Sequence, residues 1–335
     1  MLIRSGIDNF EIGLGVTRRE ADALKNLSAF KSSDEASYVL LQDLEDPKIF
    51  LRFANGKVFA NLNAPKLTHG HNIRPAGPEE IATAIRVLAL NTHIAAPRLH
   101  WDRAEVSRLD INHTCEVTNF EEFRSLILTP RGYWRFNPSE PTTGDYYNSK
   151  TRDLHVCVYE KVRHYLLEWE RLPDDVILEM ASGENALFRI EVRIKQSPYA
   201  ELKSHGGWNG LSLVAEDLVS GGAFLSALKY LQWKIERFLP IPSLRVPELG
   251  DSPSSRAYSA HNARETAFEN PERMKERAIA DQRAGRITDK VLQAELDRAH
   301  LLTRRERALS LHAALAEECE KLTAAFRVSV YIRNH

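Results

Sequence analysis

The sequence predicts an α+β protein organised around an antiparallel sheet. Three observations carry this reading. Segments 106–117, 154–161 and 187–195 alternate apolar and polar residues with period two, the pattern of half-buried strands. Asn55-Gly56 separates two short apolar runs, and this dipeptide suits a type I′ hairpin turn, which needs φ > 0 at both central residues. Stretches with helical spacing are interleaved with the strands in mixed order, which favours α+β over a regular strand–helix alternation. Beyond Gly206-Gly207 helical character takes over. A sheet domain is therefore expected over 1–205 and a mostly helical C-terminal region over 206–335.

Each element follows from local chemistry. Within residues 1–35 the legible feature is Thr17-Arg18-Arg19-Glu20, spaced as a capping box for a helix reaching about Leu27. Segments 38–41, 49–53 and 58–62 read as strands, the last two joined by the Asn55-Gly56 turn. Gly77-Pro78-Glu79-Glu80 opens a helix to about Asn91, with proline at an early position and acids in the first turn. Its Ile81, Ile85 and Leu88 share a face to be buried. After strand 106–117, Asn119 caps a helix beginning at Phe120. Segment 129–145 is rich in Pro, Gly and Thr and is expected to be loop. Strand 154–161, a helical stretch over 162–181 and strand 187–195 follow. Segment 211–239 reads as an amphipathic helix interrupted at Gly221-Gly222, 240–255 as a Pro- and Ser-rich linker, and 271–326 as charged helix broken at Gly285. No internal repeat of solenoid length is present.

Composition narrows the function classes. A chain of 335 residues, 43% apolar and 27% charged, is an ordinary globular protein long enough for one large domain or two. Its formal net charge of −1 provides no global basic field, so any nucleic-acid binding must come from a local face. Three cysteines without CxxC spacing, Cys115, Cys157 and Cys319, argue against a thiolate zinc site and fit a reducing compartment. No apolar run approaches 18 residues, so a soluble, cytoplasmic protein without a membrane partner is expected.

The polar sides of the strands form one chemical set. Leu109, Ile111, Cys115 and Val117 oppose Arg108, Asp110, Asn112 and Thr114; Leu154, Val156 and Val158 oppose His155, Cys157, Tyr159 and Lys161; Phe188, Ile190, Val192 and Ile194 oppose Arg189, Glu191, Arg193 and Lys195. If the strands share a sheet, one face is apolar. The other then carries two carboxylates, a tyrosine and several cations. That set matches metal-assisted attack of a tyrosine on a phosphodiester. Asp110 and Glu191 are hard oxygen donors suited to Mg²⁺ or Mn²⁺ beside phosphate oxygens. A tyrosine of ordinary pKa near ~10 needs help to attack, and Lys161 on the same side could stabilise its phenolate. Lys150, Arg152, Arg189, Arg193 and Lys195 supply local positive charge.

Taken singly, these residues admit plainer roles: Asp110 as a salt-bridged surface residue, Glu191 in a cross-strand ion-pair ladder, Tyr159 as an amphipathic strand residue. His69-Gly70-His71 adds either an imidazole pair for a metal or a plain loop. Tyr146-Tyr147 is a candidate for stacking on unpaired bases or for loop packing. Tyr165, in the helix after the Tyr159 strand, reads as packing.

Four blocks in order resemble the gene II / gene X replication initiators of filamentous phages and related plasmids. They are Asn63-Ala64-Pro65-Lys66-Leu67-Thr68-His69-Gly70-His71-Asn72, Val106-Ser107-Arg108-Leu109-Asp110, Ser149-Lys150-Thr151-Arg152 leading to Val158-Tyr159-Glu160-Lys161, and Ala181-Ser182-Gly183 with Phe188-Arg189-Ile190-Glu191-Val192-Arg193-Ile194-Lys195. The resemblance spans roughly residues 60 to 200. It implies a metal-dependent nickase domain that starts rolling-circle replication, with Tyr159 as the nucleophile joined to a 5′ phosphate. Asp110, Glu191 and His71 would serve Mg²⁺ or Mn²⁺, and Lys161 would support the tyrosine. Arg108, Lys150, Arg152, Arg189, Arg193 and Lys195 would contact DNA. The implied partners are origin DNA, single-stranded or as supercoiled duplex, with host helicase and polymerase, in a bacterial host's cytoplasm. A non-catalytic origin-binding replication protein is the alternative. An α+β protein whose polar strand faces are solvated ion-pair ladders is the remaining one.

Overall fold

The computed structural model describes residues 3–27, 30–32, 37–40, 48–117, 119–136, 144–151, 153–167, 171–179, 186–239 and 271–333. Its centre is an antiparallel sheet of ten strands among the described residues: β1 (Ile3–Gly15), β2 (Phe30–Ser32), β3 (Ser37–Leu40), β4 (Ile49–Ala54), β5 (Lys57–Asn63), β6 (Glu105–Val117), β7 (Tyr133–Phe136), β8 (Gly144–Ser149), β9 (Leu154–Glu160) and β10 (Ala186–Ile194). The spatial order is β2-β3-β4-β5-β1-β6-β10-β9-β8-β7. Helices α1 (Arg18–Lys25), α2 (Ala64–His69), α3 (Pro78–Thr92), α4 (Phe120–Arg124), α5 (Lys161–Leu166), α6 (Asp174–Glu179), α7 (Pro198–Glu201), α8 (Ala215–Val219) and α9 (Gly222–Phe238) flank it. The α+β class read from the sequence is therefore the observed one. No described helix is long and apolar enough to cross a membrane.

Several elements form for the reasons their residues suggest. Thr17 and Glu20 close a reciprocal capping box on α1. Asn55 and Gly56 both take positive φ, at 52° and 71°, and turn β4 into β5. Two parts differ from expectation. Segment 129–145, expected as loop, contributes β7 and the start of β8. Residues 3–15, where the sequence pattern marks no strand, form β1, which pairs with both β5 and β6 near the middle of the sheet. The reason is a bulge: Ile7 pairs with Ile111 and Asn9 with Asp110, so Asp8 is an extra residue. The apolar phase accordingly slips from odd positions, Ile3 and Ile7, to even ones, Phe10, Ile12 and Leu14, and no single alternation runs through the strand.

The sheet has two unlike faces. On one, Leu109, Ile111, Val156, Val158, Phe188, Ile190 and Val192 are buried, and α9 packs across β1, β6 and β10 with Phe224, Leu228, Leu231 and Ile235. Phe120 and Phe123 of α4 meet Phe188 there. Tyr147 lies on this side against Phe238. The polar face is also covered. Ile7 and Ala76 exchange backbone hydrogen bonds of 3.0 and 2.9 Å, which fastens segment 71–76 to β1. Ile73, Tyr165 of α5, Val176 of α6 and Leu187 form an apolar cluster over one end of that face.

The chain divides into two compact units, Met1–Phe238 with Ala314–His335, and Leu239–Ala313. The expected cut near 206 falls inside the first unit, which includes α8 and α9. The second unit contains α10 (Pro271–Arg283), a turn at Gly285, and the first part of α11 (Asp289–Arg333). Its buried apolar positions include Met274, Ala278, Val291, Ala299 and Leu311. The expected linker over 240–255 lies outside the described residues.

Lys234 of α9 is 3% exposed. It donates to Tyr133 Oη at 2.8 Å and faces the rings of Trp233, Tyr230 and Tyr133 at 4.5, 5.1 and 5.4 Å. Burial, and secondarily Arg237, brings its ammonium down to about 8 against the pull of Glu201. The folded state therefore disfavours the charged lysine below that pH, and the cost is relieved as pH rises from about 8 toward the free-lysine value. Stability should increase over this window by roughly 3 kcal/mol from this group. Urea titrations of wild type and Lys234→Met at pH 7 and pH 10 check it; an equal pH response in both would sink the assignment.

Candidate functional site

Strand register assembles the polar face row by row. One row runs Trp134, Asn148, His155, Arg193, Asp110, Asn9 across β7, β8, β9, β10, β6 and β1. The next runs Tyr146, Cys157, Glu191, Asn112, Gly6. The third runs Gly144, Tyr159, Arg189, Thr114. Gly144 is required by proximity, because a Cβ there would lie 2.0 Å from Val158 O and 2.5 Å from Tyr159 Cβ.

Arg189 sits at the centre and is fully buried. It donates to Thr114 Oγ1 at 2.7 Å, to Asp8 Oδ2 at 2.7 Å, to Asn72 O at 2.9 Å and to Ile73 O. The expectation that Arg189 grips DNA is therefore corrected: its donors are spent inside the fold, balancing a carboxylate and holding the covering segment. Strand parity does not flag Asp8, because it lies at the bulge where alternation fails. Burial pushes its carboxyl up against the pull of Arg189, and its Oδ1 has no hydrogen-bond partner.

Tyr159 and Glu191 meet directly, the tyrosine hydroxyl donating to Glu191 Oε2 at 2.7 Å. Arg193 Nε donates to Glu191 Oε1 at 2.5 Å. Burial works to raise the Glu191 carboxyl, but Arg193, the Tyr159 hydroxyl and Arg189 outweigh it and hold it near 2. Burial first, then Glu191 and Asp8, pushes the Tyr159 phenol well above its usual value. Tyr159 is only 3% exposed, with the His164 ring 4.8 Å from its own and Lys161 Nζ 5.8 Å away. Lys161 opens α5 instead of continuing the strand, is buried, and donates to Asn72 Oδ1 at 3.0 Å.

Asp110 is clamped by Arg108, with Nε to Oδ1 at 3.0 Å and Nη2 to Oδ2 at 2.6 Å. Burial raises its carboxyl against this pairing. The buried carboxylates Asp8, Asp110 and Glu191 thus each already face an arginine. His69 ends α2, Gly70 is its left-handed cap and His71 lies in the bend beyond it, with the two imidazole rings 6.0 Å apart. His71 is buried, its Nδ1 accepting from Ile73 N at 3.3 Å. Among the described residues no three His, Cys, Asp or Glu side chains group as a metal-holding set. The donor chemistry of Asp110 and Glu191 suits a hard cation, but their oxygens are engaged by Arg108, Arg193 and Tyr159, so the residues as arranged do not fit one.

The cations that do reach solvent lie at one end of this face. Arg108 and Arg193 keep 28% and 34% of their side-chain exposure, and Lys150 and Lys195 are exposed. Burial first, then Arg108 and Arg193, lowers the Lys195 ammonium, so the three are electrostatic neighbours. Arg152 falls outside the described residues.

Residues 45–215, just over half of the chain, match the family described as the N-terminal part of the phage replication-associated gene II protein. No curated protein sequence matches the chain. Among solved structures, Methanococcus jannaschii TBP is 15% identical, covering 61% of this chain and 94% of that one with a TM-score of 0.29, too distant to bear on the site.

Removing Arg189 strands Asp8 in the core and frees segment 71–76. Arg189→Met should cost roughly 3–5 kcal/mol. Asp8→Leu combined with Arg189→Met should recover part of it. Denaturant unfolding of both variants checks this, and a loss below ~1 kcal/mol for Arg189→Met would show that the buried pair does not organise the face.

Proposed function

We propose that this chain, which belongs to the phage replication-associated gene II protein family and acts as a rolling-circle replication initiator, cuts and rejoins one strand of origin DNA through Tyr159. The observation that carries the chemistry is the 2.7 Å hydrogen bond from the Tyr159 hydroxyl to Glu191. It fixes the hydroxyl, and once Arg193 leaves Glu191 for the phosphate the freed carboxylate can receive its proton. In the proposed step Tyr159 Oη attacks the scissile phosphorus and the bond to the 3′ oxygen breaks. The phenol proton passes to Glu191, the departing 3′ oxygen takes a proton from solvent and leaves as a 3′-OH, and Glu191 then returns its proton to solvent. The products are a 5′-phosphotyrosyl link and a 3′ end suited to priming host polymerase. Reversal by a 3′-OH rejoins the strand, because the phosphotyrosyl diester preserves the bond.

Charge complementarity supports the same reading. Arg193 sits 2.5 Å from Glu191, and in this proposal it turns to the phosphate as charge develops there. Arg108, Lys150 and Lys195 line the approach and position the backbone without reading bases; Arg152 is assigned the same task. Lys161 and His71 act here by holding the segment over Tyr159. DNA must open this cover, since the nucleophile is 3% exposed. Mg²⁺ or Mn²⁺ belongs to the proposal through the family resemblance. Asp110 and Glu191 could take the ion only after leaving their arginines, and chelation tests its part: cutting should stop in EDTA and return with excess Mn²⁺.

A specific observation favours a second reading, a non-catalytic origin-binding protein: the phenol is buried and pushed up, and the carboxylates Asp8 and Glu191 that raise it are each paired with an arginine. Denaturing electrophoresis with labelled single-stranded origin DNA and Mn²⁺ separates the two. A protease-sensitive covalent band is expected from wild type. Tyr159→Phe should abolish it, a loss of about a thousandfold or more, while DNA binding and fold persist. A folded wild type that binds the origin without an adduct would establish the binding protein instead.

A further inference from the structure

The exposed part of the polar face is chemically unlike its buried centre. The carboxylates Asp110 and Glu191 are 1% and 3% exposed, whereas Arg108, Arg193, Lys150 and Lys195 reach solvent. Among the described residues the half-exposed acids beside them are Asp153, just before β9, and Glu11, which is opposite Arg108 in register and paired with Arg52. A chain of net charge −1 thus shows a cationic margin here. In the same face, on the outermost strand, stands Trp134, 37% exposed. The register puts it in the row of Asn148, His155 and Arg193, and puts Tyr146 in the row between it and Tyr159. Tyr146 is half-buried; burial, then Cys157 and Glu191, pushes its phenol up to about 12 against the pull of Arg193, which places it against the Glu191–Arg193 pair. From the Trp134 row to the Tyr159 row is four residues along the sheet, about 13 Å.

Aromatic rings interleaved with cations along a groove are what a single-stranded nucleic acid requires: faces for unpaired bases and charges for phosphates. Duplex DNA offers no free base face to such a platform.

We propose that Trp134, with Tyr146 and His155 behind it, is a stacking platform for an unpaired base of the strand delivered to Tyr159, while Lys150 and Lys195 hold the flanking phosphates. This rests on the strand-cutting reading above and adds that the bound strand is unpaired here.

The test is binding of a short oligothymidylate to the full chain, measured by fluorescence anisotropy, beside a duplex of equal length and an oligothymidylate with one abasic site moved along it. Trp134→Ala should weaken single-strand binding about tenfold, and Trp134→Phe should restore most of it. Duplex binding should not change. One abasic position should weaken wild type but have no further effect in Trp134→Ala. Equal affinity of Trp134→Ala and wild type, or an equal loss on duplex and single strand, would overturn the platform; circular dichroism guards against a folding defect. The covalent-adduct assay is independent. An adduct with no Trp134 effect removes the platform and leaves the nickase, whereas a Trp134 effect without any adduct keeps the platform and removes the nickase.

Discussion

One buried guanidinium organises the polar side of this protein. Arg189 reaches a strand neighbour through Thr114, the bulge of β1 through Asp8, and the segment after α2 through the carbonyls of Asn72 and Ile73. A charge taken out of water is tolerated only when paired and hydrogen-bonded, and here both conditions are met by groups far apart in the chain. The arginine therefore dictates where three otherwise unrelated segments lie. Tyr159 and Glu191 take their places around it, one strand to the side and one row along.

The same principle explains why the face is quiet as it stands. Arg108 holds Asp110, Arg193 holds Glu191, and Arg189 holds Asp8. Each of these three carboxylates has its own guanidinium, and the tyrosine hydroxyl completes the shell of Glu191. Such a set keeps its geometry without a ligand, and bidentate or buried pairs are hard to dislodge singly. A phosphate arriving at this end would compete for Arg108 and Arg193, the two guanidiniums of the set that retain solvent contact. In the strand-cutting reading, a phosphate that drew Arg193 away would free the Glu191 carboxylate that holds the Tyr159 hydroxyl.

The opposite face shows what a polar sheet side would otherwise become. There α9 buries a continuous apolar surface, and Lys234 is accommodated only by wrapping it in aromatic rings and a tyrosine hydroxyl. The paired charges of the other side serve arrangement more than stability, since an ion pair in a protein interior contributes little net free energy.

Period-two alternation in β6, β9 and β10 was enough to give the α+β class, the two faces, and the assignment of Asp110, Tyr159 and Glu191 to one side, because side-chain direction in a strand is fixed by residue parity alone. Asn55-Gly56 and the Thr17–Glu20 box were equally legible, being local backbone chemistry. What parity cannot give is which strands are neighbours, their register, or what covers a face. Those were decided in three dimensions: β1 entered the centre through a bulge that breaks its own pattern, β7 formed in a stretch whose prolines and glycines read as loop, and Arg189, expected among the DNA-gripping cations, became the buried counter-ion of a residue 181 positions away. The sequence determined which side chains face the same way; only the tertiary structure decided which of them meet water and which meet each other, because burial depends on contacts between segments that no local pattern encodes.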